Sequence, residues 1–77
     1  MKIIILGAGR VGASVADSLV SERNDITVID KDPARLRELE SRYDLRGVVG
    51  NGIDPSVLAE AGANDTDLLI ACAAQDE

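Results

Sequence analysis

Apolar and polar positions along this chain fall into blocks, and the period of the pattern changes from block to block. Residues 2–6 open with an unbroken apolar run, Ile3-Ile4-Ile5-Leu6, as a parallel strand buried on both faces requires. The run breaks at Gly7-Ala8-Gly9-Arg10-Val11-Gly12. Val11, Val15 and Leu19 then recur at helical intervals and predict a helix over residues 11–22, ending in the polar group Ser21-Glu22-Arg23-Asn24-Asp25. The β-branched run Ile26-Thr27-Val28-Ile29 predicts a second strand, stopped at Asp30. Asp32-Pro33 is a helix start, because Asp can cap free amides and Pro at the first helical position forfeits no hydrogen bond. The helix it opens, over residues 33–43, has Ala34, Leu36, Leu39 and Tyr43 as its candidate buried stripe. Residues 46–49 predict a third strand, broken by Gly50-Asn51-Gly52. Asp54-Pro55 opens a third helix running to Ala61, with Gly62 where a left-handed terminus is wanted. Asp67 to Cys72 reads as a fourth strand, apolar enough to expect neighbours on both faces.

Strands alternating with helices through short connections imply right-handed crossovers and a parallel sheet flanked by helices. The fold class is therefore α/β, a Rossmann-like doubly wound parallel sheet of strand order 3-2-1-4. With 77 residues, the chain is shorter than the roughly 100–150 residues of a complete dinucleotide-binding domain. It reads as a partial nucleotide-binding domain over residues 1–77, truncated after the fourth strand. That strand is expected to be an apolar edge and a template for self-association.

Composition narrows the partners. A formal net charge of −6 with scattered basic residues argues against nucleic acid, whose phosphates demand clustered Lys and Arg. No apolar run approaches the roughly 20 residues of a membrane span, and the strand that follows Met1-Lys2 leaves no room for a secretory signal. The expected compartment is the cytosol. Cys72 alone makes no internal disulfide, and without histidine no zinc constellation is visible.

The candidate chemistry lies in the glycine turn. A helix amino terminus offers unsatisfied amides and the positive end of a macrodipole to a pyrophosphate, provided side chains stay out of the way. Gly7 would permit the tight turn, Gly9 the approach of backbone to phosphate, and Gly12 close packing of helix on sheet, with Ala8 and Val11 between them. Arg10 either adds a charge-assisted phosphate contact or stays in solvent. G-x-G-x-x-G is a weak signal alone. Here it follows a strand, opens a helix and is joined, about 20 residues on, by an acid ending the second strand. Asp30 is thus the candidate acceptor for an adenosine ribose, favouring NAD(H) over NADP(H) because it repels a 2′-phosphate. Lys31 lies either beside that ribose or in solvent. Asn51, Gly52 and Asp54 fall on the same carboxyl-end rim and could line an adenine pocket, although Asp54 reads better as a helix cap. No catalytic constellation is visible.

With the glycine loop, Val28-Ile29-Asp30, Gly50-Asn51-Gly52-Ile53-Asp54, Ala61-Gly62-Ala63, Asp67-Leu68-Leu69-Ile70-Ala71 and Asp76-Glu77 in view, the sequence resembles the amino-terminal domain of TrkA proteins. These belong to the KTN/RCK family of cytosolic regulators of potassium uptake. The resemblance implies a regulatory subunit rather than an enzyme, assembled as a homo-oligomer and peripheral to the inner face of the membrane through a potassium transporter. It also implies an NAD(H) or ATP/ADP site in which Gly7, Gly9, Arg10, Val11 and Gly12 hold phosphate, Asp30 holds ribose, and Asn51-Gly52 lie near adenine. One departure is Ala73-Ala74, where the family usually carries a small hydroxyl residue. The alternative class is the cofactor-binding half of an NAD-dependent dehydrogenase, in which the glycine loop and Asp30 would look much the same.

Overall fold

Four short strands carry the densest apolar content of the chain, and in the computed structural model they pair into one parallel sheet. The structure describes residues 1–20, 24–52 and 54–72, the side chains of Val11 and Ala63 excepted. The strands are β1 (Lys2–Leu6), β2 (Asp25–Asp30), β3 (Arg46–Val49) and β4 (Leu68–Ala71), in the expected order β3-β2-β1-β4. In register, Ile3 lies beside Ile26 and Leu68, Leu6 beside Ile29 and Ala71, and Asp30 beside Val49.

The crossovers are α1 (Arg10–Val20), α2 (Pro33–Arg42) and α3 (Pro55–Ala61), the last followed by a 3₁₀ turn at Ala63–Asp65. Because successive strand residues point to opposite faces, the central strands bury two aliphatic sets. Ile3, Ile5, Ile26 and Val28 pack with Ala16 of α1 and with Leu36 and Leu39 of α2. Ile4, Ile29 and Val48 pack with Ala61 of α3. Two helices cover one face and the third covers the other, so the direction of winding reverses between β1 and β4. The carboxyl ends flanking such a reversal form the crevice where open α/β sheets take ligands.

Several boundaries differ from the expectation. Residues 21–22, expected in the first helix, lie outside the described residues. Tyr43 is the carboxyl cap of α2 rather than its last helical residue, and its extended backbone ends the helix. Ala34, expected in the buried stripe, is exposed, since it stands two residues from Leu36 and therefore on nearly the opposite face. Asp67 precedes β4, donating its amide to Lys2 O and accepting the Lys2 amide on Oδ2, each at 2.8 Å. β4 is the expected edge strand, but the neighbours expected on both its faces are missing in part: Leu68 and Leu69 are 42% and 51% exposed, while Ile70 packs against the cluster of Ile3 and Ile5.

The corner joining β1 to α1 is set by backbone contacts. Gly7 has φ of +110°, and a Cβ there would come within 2.7 Å of the Cys72 carbonyl oxygen. A Cβ on Gly12 would overlap the carbonyl oxygen of Gly7. The close packing expected of Gly12 is therefore made on the strand exit itself, with Ile5 Cγ2 also 3.7 Å from that Cβ position. Both Asp-Pro pairs cap as anticipated. Asp32 accepts from the Ala34 amide at 2.9 Å, and Asp54 accepts from the Ser56 amide at 3.0 Å and the Ser56 hydroxyl at 2.8 Å. The Ser56 hydroxyl, with its amide, holds the Asp54 carboxyl below the usual carboxylate range.

Two outcomes are expected. Gly12→Ala forces apart backbone that no rotamer change can relieve, costing at least about 1–3 kcal/mol by urea denaturation; an unchanged midpoint would refute the contact. For Asp54, a lowered folded-state pKa means the cap stabilises at neutral pH. That stabilisation fades as the pH falls from the ordinary carboxylate value through the lowered one. Asp54→Asn should therefore lose stability less steeply over this acid window, as read by denaturation midpoints against pH; parallel curves would contradict it.

Candidate functional site

The carboxyl rim of the sheet is held by three backbone hydrogen bonds that continue the ladders past the strand ends. Gly7 donates to Ile29 O at 2.8 Å, Gly50 to Asp30 O at 2.9 Å, and Cys72 to Leu6 O at 2.9 Å. The exits of β1, β3 and β4 are thereby tied to their neighbours, and the loops leaving them start from fixed positions.

Asp30 sits at the centre of this rim, half-buried. Its Oδ2 accepts the Ala8 amide at 2.7 Å and its Oδ1 accepts the Asp32 amide at 2.9 Å. The acid and the glycine loop, joined in the sequence by spacing alone, are one hydrogen-bonded unit. A carboxylate has about four acceptor sites, and these two bonds occupy two of them.

The loop Gly7-Ala8-Gly9 leads directly into α1. Ala8 is buried, Gly9 half-buried, and Arg10, the first helical residue, exposed. The hydrogen bond closing the first turn runs from the Ala13 amide to Gly9 O at 2.8 Å, with the backbone of Val11 and Gly12 inside that turn. No acidic residue stands in the first turn to oppose an anion. Lys31 follows Asp30 on the surface and is exposed. Asn51 is exposed too, and its carbonyl accepts the Asp54 amide at 2.9 Å. Gly52 lies against Leu6, whose Cδ2 is 3.1 Å from a Cβ built on it. The Asn51-Gly52 turn therefore reaches the end of β1 from the α3 side. The structure brings Gly7 to Gly12, Asp30 and Gly52 around one strand end, and leaves Lys31 and Asn51 on its outer edge. Ile53 and Ala73-Ala74 lie outside the described residues.

A cavity of about 340 Å³ opens beside the glycine loop, between α1 and α2. Ala8, Gly9, Arg10 and Ala13 line one side, and Arg35, Glu38, Leu39 and Arg42 line the other. Leu39 was expected in the buried stripe of α2, whereas Arg35, Glu38 and Arg42 were not singled out from the sequence, although their spacing with Leu39 of i, i+3, i+4 and i+7 marks a single helical stripe. Further along the same seam, the Tyr43 pKa is raised by the Asp17 carboxylate as an acceptor for its hydroxyl, by burial and by the negative charge of that carboxylate. No helix among the described residues is long and apolar enough to cross a membrane.

Comparison with known proteins bears directly on this geometry. The TrkA-N domain family model matches residues 3–77. The Trk system potassium uptake protein TrkA of Vibrio alginolyticus is 57% identical over all 77 residues, which make up 17% of its length. The chain thus spans less than a fifth of that relative. Among solved structures, the TrkA-N domain of inner membrane protein ybaL from Escherichia coli superposes with a TM-score of 0.83 at 27% identity, covering 91% of this chain and 51% of that one. The Shewanella denitrificans Kef CTD in AMP bound form superposes with a TM-score of 0.80 at 28% identity, covering 99% of this chain and 45% of that one. By sequence over nearly its whole length and by fold, this chain belongs to the TrkA-N domain family.

Proposed function

We propose that residues 1–77 form part of a nucleotide-sensing domain of a potassium uptake regulator. On this reading the glycine loop binds NAD(H) or ATP/ADP, and its occupancy alters an attached membrane potassium transporter. The observation that carries it is the hydrogen bond joining the Ala8 amide to Asp30. This bond sets a ribose acceptor and a phosphate-binding turn against each other, as a 5′-phosphorylated adenosine requires. The diol would use the acceptor sites of Asp30 that Ala8 and Asp32 leave open, and the phosphates would face the turn formed by Gly9, Arg10, Val11 and Gly12. Gly52 and Asn51 would border adenine, with Lys31 at the ribose edge.

A negatively charged Asp30 disfavours a 2′-phosphate, so NAD(H) is preferred to NADP(H). The AMP-bound state of the Kef relative supports an adenine nucleotide as the ligand class. The names of the TrkA relatives, potassium uptake proteins of the Trk system, support a part in potassium transport. The domain would act on the cytoplasmic side, and the exposed Leu68 and Leu69 favour assembly with a second copy.

Calorimetry with AMP, ADP, ATP, NADH and NADPH tests the reading. Binding of the ligands with a free ribose is expected, with NADPH the weakest. Asp30→Ala should weaken AMP by about tenfold or more, since hydrogen bonds to a charged acceptor are worth about 1.5–3 kcal/mol. Equal affinity in the variant, or a preference for NADPH, would overturn the assignment. The regulatory half is tested by rubidium flux into proteoliposomes carrying a Trk-type transporter, where added protein should make flux nucleotide-dependent.

A further inference from the structure

The cavity between α1 and α2 has a charge unlike that of the rest of the chain. Of eight Lys and Arg residues in a chain of net charge −6, three line this one space, namely Arg10, Arg35 and Arg42. They come from two elements, so the guanidinium groups border the cavity from both sides. Its base is apolar, formed by buried Ala8 and Leu39 together with Ala13, and Glu38 is the one carboxylate among the lining residues.

The ion pairs that now engage two of these arginines are weak. Arg35 Nε lies 3.7 Å from Asp32 and Arg42 Nη2 lies 3.6 Å from Glu38, with all four side chains 45–65% exposed. Such long, solvated contacts within one helix are readily exchanged for a stronger acceptor. A phosphate presents several oxygens with delocalised charge, and the planar guanidinium fork matches it in pairs of hydrogen bonds. The volume is at the lower end of the roughly 300–1,000 Å³ typical of small-molecule sites, so it admits a phosphate together with a small carrier.

We propose that this cavity, which shares Ala8, Gly9 and Arg10 with the glycine-loop nucleotide seat, takes a phosphate dianion at its α2 side, with Arg35 and Arg42 as its principal ligands. The phosphate comes either from a free phosphomonoester or from the outer phosphate of a nucleotide held on the neighbouring loop. The chemistry is the same in both cases. It does not require the nucleotide assignment to be correct, because free phosphate can occupy the cavity alone.

The test is amide NMR of the labelled chain, titrated in separate arms with inorganic phosphate, glycerol 3-phosphate, AMP and ATP at matched chloride ionic strength. Phosphate and glycerol 3-phosphate should move the Ala13 and Leu39 amides saturably. The double variant Arg35→Gln/Arg42→Gln should weaken that response at least about tenfold. Its AMP response around Gly7 and Asp30 should stay unchanged. Should ATP alone move Ala13 and Leu39, and only with both arginines present, the site stands and its phosphate is the nucleotide's. Glu38→Gln, which removes the opposing carboxylate, provides a second readout and should tighten phosphate binding about twofold or more. Shifts confined to the glycine loop, no response in any arm, or full affinity in the double variant would each overturn the proposal. Absence of an AMP response with phosphate binding intact would count against the nucleotide reading alone.

Discussion

The exclusion of side chains where β1 turns into α1 is the constraint on which the rest of the rim depends. Gly12 has no room for a Cβ because the Gly7 carbonyl occupies that space, and Gly7 is confined in turn by the Cys72 carbonyl. Three pieces of backbone thus meet without intervening side chains. This brings the amino terminus of α1 directly over the end of the central strand. Any larger residue would lift the helix, and with it Ala8, away from Asp30. A stretch of chain short of functional groups is thereby made into a candidate site by what it lacks.

The aliphatic core supports this corner from below in an uneven way. β1 and β2 are buried on both faces and supply the largest fully buried side chains, Ile3, Ile4, Ile5, Ile26, Val28 and Ile29. β4 is covered only in part, at Ile70, although it forms the far wall of the crevice. Rigidity is therefore concentrated on the β1-β2 side, where Asp30 and the glycine loop lie. The exposed leucines at β4 are the weak flank of the same sheet.

Much of this was legible in the residues. The strand order followed from alternating periods and short connections. Both Asp-Pro caps were readable because their chemistry is local, and so was the pairing of glycine turn with Asp30, since its spacing follows from the β-α-β unit. What escaped depends on neighbours that a one-dimensional pattern does not contain. Leu68 and Leu69 look like buried strand residues because propensity registers the side chain and not what lies over it. Ala34 was assigned to a stripe by hydrophobicity although its angular position excludes it. Arg35, Glu38 and Arg42 read as ordinary solvated residues beside the buried Leu39 until the sheet brings α1 alongside.

Asp30 also has a mechanical meaning. Its side chain is gripped by Ala8 and Asp32 and its carbonyl by Gly50, so the three loops that leave β1, β2 and β3 are fastened to one residue. A ligand arriving at this rim meets loops whose ordering entropy has already been spent in folding, and its binding energy is not consumed in assembling the site. The same fastening means that these loops have little slack. A disturbance at the rim is passed on as a small concerted movement of strand ends and the helices rooted in them, rather than absorbed by the loop that received it.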